Sequence, residues 1–129
     1  MAVVEYTHGN LKTESLPGNK FKRTLAPFGV LDDQGNTWFV PEGTITDGKS
    51  LPPGFKYLPT VGDPFAGDTE EAAIIHDHYC RTKERSQKDT HKIFRELCEH
   101  EGVWGPLAWQ MWLAVRIWNR ANPKNKGWK

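Results

Sequence analysis

The stretch "DTEEAAIIHDHYCRT", residues 68–82, decides how the chain is read. Asp68 with Glu71 makes a capping-box start, so a helix over about 69–82 is expected. Its first turns are apolar through Ala72, Ala73, Ile74 and Ile75, and then come His76 and Asp77. Burying an imidazole and a carboxylate costs several kcal/mol unless each is paired. A partner or a chemical use is therefore implied for both.

Toward the C-terminus two more helices follow. Ser86 with Asp89 marks a second start, for a helix to about residue 101 that stops at Gly102. Gly105-Pro106 opens a third, with proline at the first helical position, which runs to about Asn119 before Asn122-Pro123 ends it. Toward the N-terminus the composition changes near residue 68, and most of the glycines and prolines lie before it. "FKRTLAPFGVLDDQGNTWFVPEG" reads as a hairpin: one arm from Phe21 to Leu31, "DDQGN" as the turn, and Thr37 to Val40 as the return. Pro27 makes the first arm an edge or bulged strand. "TITDGKSLPPGFKYLPTVGDPFAGD" then runs without periodicity, and a compact domain seldom carries so long a loop without a task for it.

Strands first and helices after argue for an α+β fold: a small antiparallel β-sheet or hairpin with a long loop, followed by three α-helices packed on it. A length of 129 residues suits one domain, β-rich over about 1–67, helical over about 68–120, with a basic tail at 121–129. Cys80 and Cys98 lack metal-finger spacing and read as reduced thiols on helices. No signal peptide or membrane-length apolar run is visible, so a host-cytoplasmic or virion location is expected. A net charge of +1 gives no strong nucleic-acid signal, and the tail "NPKNKGWK" reads as a solvated end.

On the first helix Ala72, Ile75, His76 and Tyr79 share a face, while Asp77 sits about 100° round the axis. On the second, Ile93, Phe94, Leu97 and Cys98 mark the buried side, with Asp89 a turn before Ile93. An antiparallel hairpin across "TKERS" would return Asp89 toward Asp77. One histidine and two carboxylates suit a hard divalent metal, or a general base held by a carboxylate. The plainer alternative is structural: Asp77 pairs with Arg81 at i+4 and His76 donates to a carbonyl.

The segment "VPEGTITDGKSLPP", followed by "AAIIHDHYCRTKERSQKDTHKIFRELCEHEGV" and a helix with "AVRIW", resembles a small family of tailed phages and prophages, domain-of-unknown-function family 1353. The resemblance covers roughly residues 20 to 120 and falls on Thr46, Asp47, Ser50 and Pro52, on His76, Asp77 and Tyr79, on Asp89 and on Arg116. It implies a viral source and a cluster drawn from distant segments, and it supplies no activity. "DGKS" departs from the usual pattern at Gly48 and Lys49, and His78 stands where an aromatic is usual. "HDHYC" is also similar to the "HDxCY" of secreted phospholipases A2, but two cysteines cannot build that disulfide-rich fold. The His-Asp phosphohydrolases need a further upstream helical histidine, and only His8 lies upstream.

Two functional readings follow. In the first, a metal-assisted hydrolase site has His76, Asp77 and Ser50 in catalytic roles and Asp47, His76, Asp77 and Asp89 as ligands of a divalent ion whose bound water attacks. In the second, the chain is a non-enzymatic phage virion, assembly or host-directed binding protein and the His/Asp cluster is structural. Leu107, Met111, Ala114, Val115 and Trp118 read as the inward stripe of the third helix, which leaves Trp109 and Trp112 to one side as a surface for a protein partner.

Overall fold

The structure, a computed structural model, describes residues 4–18, 21–46, 70–103 and 105–129. Six short strands come first: β1 (Glu5–Tyr6), β2 (Thr13–Ser15), β3 (Lys22–Thr24), β4 (Phe28–Leu31), β5 (Thr37–Val40) and β6 (Ile45–Thr46). Three helices follow, α1 (Glu70–Thr82), α2 (Gln87–His100) and α3 (Gly105–Arg120), and then a single 3-10 turn at Pro123–Asn125. The fold is α+β, and its strands form two antiparallel three-stranded sheets, ordered β1-β4-β5 and β2-β3-β6.

The arm expected from Phe21 to Leu31 is two strands in two sheets. Lys22–Thr24 pairs with β2 and β6, whereas Phe28–Leu31 lies between β1 and β5. Pro27 offers no N–H to a ladder and fixes its own φ, so pairing stops there and the chain changes sheet. The strand after it is consequently central rather than an edge. Gly29 sits inside that strand because the chain beyond β1 crosses close by: a Cβ there would lie 2.5 Å from Thr7 Oγ1 and 3.1 Å from the Trp38 carbonyl. The turn is organised by Asp32, whose Oδ1 accepts the N–H groups of Gln34 and Asn36 at 2.9 Å while Oδ2 accepts Trp38 Nε1 at 3.1 Å. Gly35 takes the positive φ, 82°, that this turn requires. Along β5 the alternation places Trp38 and Val40 in the core and Thr37 and Phe39 outside.

Ser86 caps α2, its Oγ accepting the Asp89 N–H at 3.1 Å. Gly102, at φ 104°, closes the same helix, with the Val103 N–H returning to the Cys98 carbonyl at 2.9 Å. Asp68 lies outside the described residues. Glu71, its expected capping partner, accepts instead from the Tyr6 hydroxyl. The inward line of α3 is Ala108, Met111, Val115 and Asn119, while Leu107 and Ala114 are partly buried against it. Trp118, placed inward by the sequence pattern, is 41% exposed.

The core joins Phe28, Val30, Trp38 and Val40 of one sheet to Ile74 and Ile75 of α1, Phe94 and Leu97 of α2, and Met111 and Val115 of α3. The helix α1 packs on β5 and β6 and on α2, and α2 packs in turn on α3. Having neighbours on several sides, α1 is buried nearly all round, from Ala72 through Asp77 and again at Tyr79 and Cys80. The "NPKNKGWK" tail is not a solvated end. Asn125 is buried, and Trp128 donates its indole N–H to the Arg85 carbonyl at 2.8 Å.

Where α1 begins and α2 ends, the Glu101 carboxyl oxygens are buried beside Glu71. Burial first, and then the Glu71 charge, pushes the Glu101 pKa up to about 10. The folded chain thus holds a proton that the unfolded chain releases above about 4.5, and stability falls as pH rises between those values. Glu101→Gln is expected to match the wild type in denaturant midpoint near pH 4 and to exceed it at pH 8. Equal midpoints at both pH values would show that this carboxyl is not held protonated.

Candidate functional site

Because α1 is enclosed, its successive side chains meet different neighbours. Asp77 turns toward the strands: its Oδ2 accepts the hydroxyl of Thr46, the last residue of β6, and lies 3.5 Å from Arg81 Nε one turn on. Tyr79 reaches β5, where its hydroxyl oxygen accepts the Phe39 N–H at 2.9 Å and its ring meets Trp38 edge-on at 4.8 Å. His76 turns to α2. Its Nε2 is 2.9 Å from His91 Nδ1, and its ring packs 5.0 Å from Phe94. One turn beyond His76, the Cys80 thiol lies 3.9 Å from Asn119 Oδ1, which links α1 to α3.

The polar chain continues past His91. Its Nε2 is 3.3 Å from Gln87 Oε1, and the Gln87 amide N–H donates to the Trp128 carbonyl at 2.8 Å. His76 is fully buried, and His91 and Asp77 are nearly so, at 2% exposure each. Burial, and secondarily the neighbouring His91, holds the His76 pKa well below the ordinary imidazole value. Burial and then the Arg116 charge lower His91 to about 4. Two neutral imidazoles in contact avoid the desolvation cost that a buried cation would carry.

Of the expected site residues, the described structure places His76 and Asp77 on adjacent sides of α1. Asp47 and Ser50, with Pro52, lie outside the described residues. Asp89 is exposed on the first turn of α2, whereas Thr90, Ile93, Phe94 and Leu97 face inward. The hairpin across residues 82–86 forms as expected, but the side chain it returns to His76 is His91. Among the described residues, no three His, Cys, Asp or Glu side chains are gathered so as to hold a metal. Arg116, on which the family resemblance also falls, lies over the Trp112 ring at 5.3 Å and beside His91. Cys80 and Cys98 are buried on α1 and α2 and neither is in a disulfide.

Sequence reasoning missed His91 and Gln87. Both stand at helical spacing from Phe94, at i−3 and i−7, so the face that carries the apolar stripe also carries them. The signal was a polar pair inside an apolar stripe, the same one that drew attention to His76.

The His76-Asp77-His78-Tyr79 run on an enclosed helix, with a threonine from the preceding strand bonded to its aspartate, defines the class of chain by its packing rather than by a known active site. The chain belongs to the family described as protein of unknown function DUF1353, whose model matches residues 23–115. It is similar to the uncharacterized protein y4jT of Sinorhizobium fredii (strain NBRC 101917 / NGR234), 41% identical over 88 residues, covering 68% of this chain and 26% of the relative. It is also similar to the uncharacterized protein y4iH of the same organism, 35% identical over 108 residues, covering 83% of this chain and 44% of the relative. The chain thus spans less than half the length of either. No solved structure matches it.

Lowered histidine values have a definite sign. The unfolded chain takes up protons below about 6.5 that folded His91 refuses until about 4, so stability is lost as pH falls through that window. His91→Gln is expected to show a shallower loss of denaturant midpoint between pH 7 and pH 4.5 than the wild type. Parallel pH profiles for the two would mean that His91 titrates normally in the folded state.

Proposed function

We propose that the chain is a non-enzymatic binding component of phage type, in which His76 and Asp77 lock α1 to its neighbours and the outer face of α3 meets a protein partner. The observation that carries this is the burial of both groups against the protein's own side chains, His91 on one side and Thr46 with Arg81 on the other. A general base must reach the proton it abstracts, and a fully enclosed His76 bonded to a second imidazole has no path to a substrate among the described residues. The phage context rests on the order of the motifs from Thr46 to Arg116.

The partner face is supported by exposure at helical spacing. Trp109, Leu113 and Ile117, at i, i+4 and i+8 of α3, are 51%, 49% and 62% exposed. Trp109 stands edge-on to Trp112 at 5.4 Å, with the Arg95 guanidinium 4.0 Å over its ring. Tryptophan and arginine set among exposed aliphatics are the residue types that anchor protein interfaces.

The rival is the metal-assisted hydrolase with Asp47, Ser50, His76, Asp77 and Asp89, and one titration separates the two readings. Metal-stripped protein titrated with manganese, magnesium, zinc and calcium is expected to give no one-to-one heat that depends on His76. His76→Ala is expected to lose about 2–4 kcal/mol of stability through the cavity and the stranded His91. One ion bound per chain, and released by that substitution in a folded protein, would sink the structural reading.

The α3 face has its own check. A Leu113→Glu and Ile117→Glu double variant is expected to unfold within about 0.5 kcal/mol of the wild type, as surface changes do. A loss of several kcal/mol would show that the stripe serves the chain's own packing.

A further inference from the structure

A cavity of about 360 Å³, beyond the reading above, opens between the start of α2, the C-terminal half of α3 and the tail, at the His91 and Gln87 end of the polar chain that starts from His76. Trp112 and Trp128 form flat walls, His91 lies on its lining, and Arg116, Arg120 and Lys88 bring cationic side chains to it. Lys129 also lines it, its main-chain oxygen accepting the Lys88 N–H at 3.2 Å. The volume lies in the range of small-molecule sites, roughly 300–1,000 Å³.

The charge pattern is uncompensated. Arg116 and Arg120 stand at i and i+4 on α3, an arrangement of like charges that costs a helix a few tenths of a kcal/mol. Among the described residues no side-chain carboxylate is ion-paired with either arginine or with Lys88. Arg116 is already oriented, its guanidinium lying 5.3 Å over the Trp112 ring, which leaves its N–H edges for an acceptor. Trp128 is fixed as well, by the Arg85 carbonyl on its indole N–H and by Gln87 on its own carbonyl. Convergent cations with guanidinium forks favour a dianion over a single carboxylate, and two indole walls favour a flat ring behind it.

We propose that this cavity binds a small organic phosphate carrying a flat ring, with Arg116, Arg120 and Lys88 on the phosphate and Trp112 and Trp128 against the ring. The failure of this site would leave the structural role of His76 and Asp77 untouched, because none of the residues that hold the phosphate bonds to either.

The probe is adenosine monophosphate, titrated calorimetrically into the full chain beside adenosine, inorganic phosphate and a single-stranded oligonucleotide. One site per chain is expected for the mononucleotide, with adenosine and inorganic phosphate each at least about tenfold weaker. An Arg116→Gln and Arg120→Gln double variant is expected to lose about tenfold or more in affinity with an unchanged thermal midpoint, since both side chains are exposed. Lys88→Gln, in the first turn of α2 and also exposed, repeats the test from another element. No saturable binding at millimolar mononucleotide, unaltered binding by the variants, inorganic phosphate binding as tightly as the mononucleotide, or binding of the oligonucleotide alone would each overturn the proposal.

Discussion

Everything else in the structure depends on how α1 is docked. A helix with apolar residues on every side is held only by shape, and it can turn or slide against its neighbours at small cost. Here Asp77 reaches Thr46 on one side and His76 reaches His91 on another, so rotation of α1 by one residue would bury an unpaired carboxylate and an unpaired imidazole together. An unsatisfied buried group costs about 1–3 kcal/mol, more when charged, while a satisfied one is close to neutral. The polar pair therefore contributes little to total stability and a great deal to which arrangement is adopted.

The same docking explains why the two ends of the chain make one core. Residues 5–46 build their two sheets among themselves, by the adjacent pairs β2-β3 and β4-β5 and the longer-range pairs β1-β4 and β3-β6, and residues 70–120 build an antiparallel helical series from consecutive helices. Much of the contact between the two parts runs through α1, with Tyr79 on the β5 backbone, Asp77 on β6, and Ile74 and Ile75 in the common core with Trp38 and Val40, and it is supplemented by Tyr6 against His100 of α2 and Arg85 over Trp38. The spacing of His76, Asp77 and Tyr79 becomes intelligible as geometry. His76, Asp77 and Tyr79 address α2, β6 and β5 respectively, three directions from a single turn of helix.

Much of the fold was legible in the sequence because local rules and global packing agree in the helical part. Ser86 at a cap, Gly102 at a positive φ and Pro106 in a first turn end or begin helices wherever they occur, so those boundaries fell within a residue or two of where they lie. The strands were harder. Pro27 announced that pairing is interrupted, but a local rule cannot say whether the chain bulges or leaves for another sheet. The site was half legible. That His76 and Asp77 need partners follows from burial cost alone, yet the identity of the partners is tertiary. Asp89 stood near the inward arc of α2 by periodicity, and it is exposed because the inward phase of the helix start runs through Gln87, Thr90, His91 and Phe94, which leaves Lys88 and Asp89 outside. Trp118 failed for a related reason: α3 buries only a narrow strip against α2, too narrow to include it.

The chain of hydrogen bonds from the tail has one more consequence, for the placement of protons. The Trp128 carbonyl can only accept, so Gln87 must offer it the amide N–H and point its oxygen at His91. His91 must then carry its hydrogen on Nε2, which in a neutral ring leaves Nδ1 with a lone pair directed at His76. His76 must in turn carry a hydrogen on Nε2. Each ring thus has its tautomer assigned by the group behind it, and the sequence of assignments begins at a backbone oxygen more than fifty residues away from His76 along the chain. A carbonyl in the tail decides which nitrogen of the central histidine holds a proton.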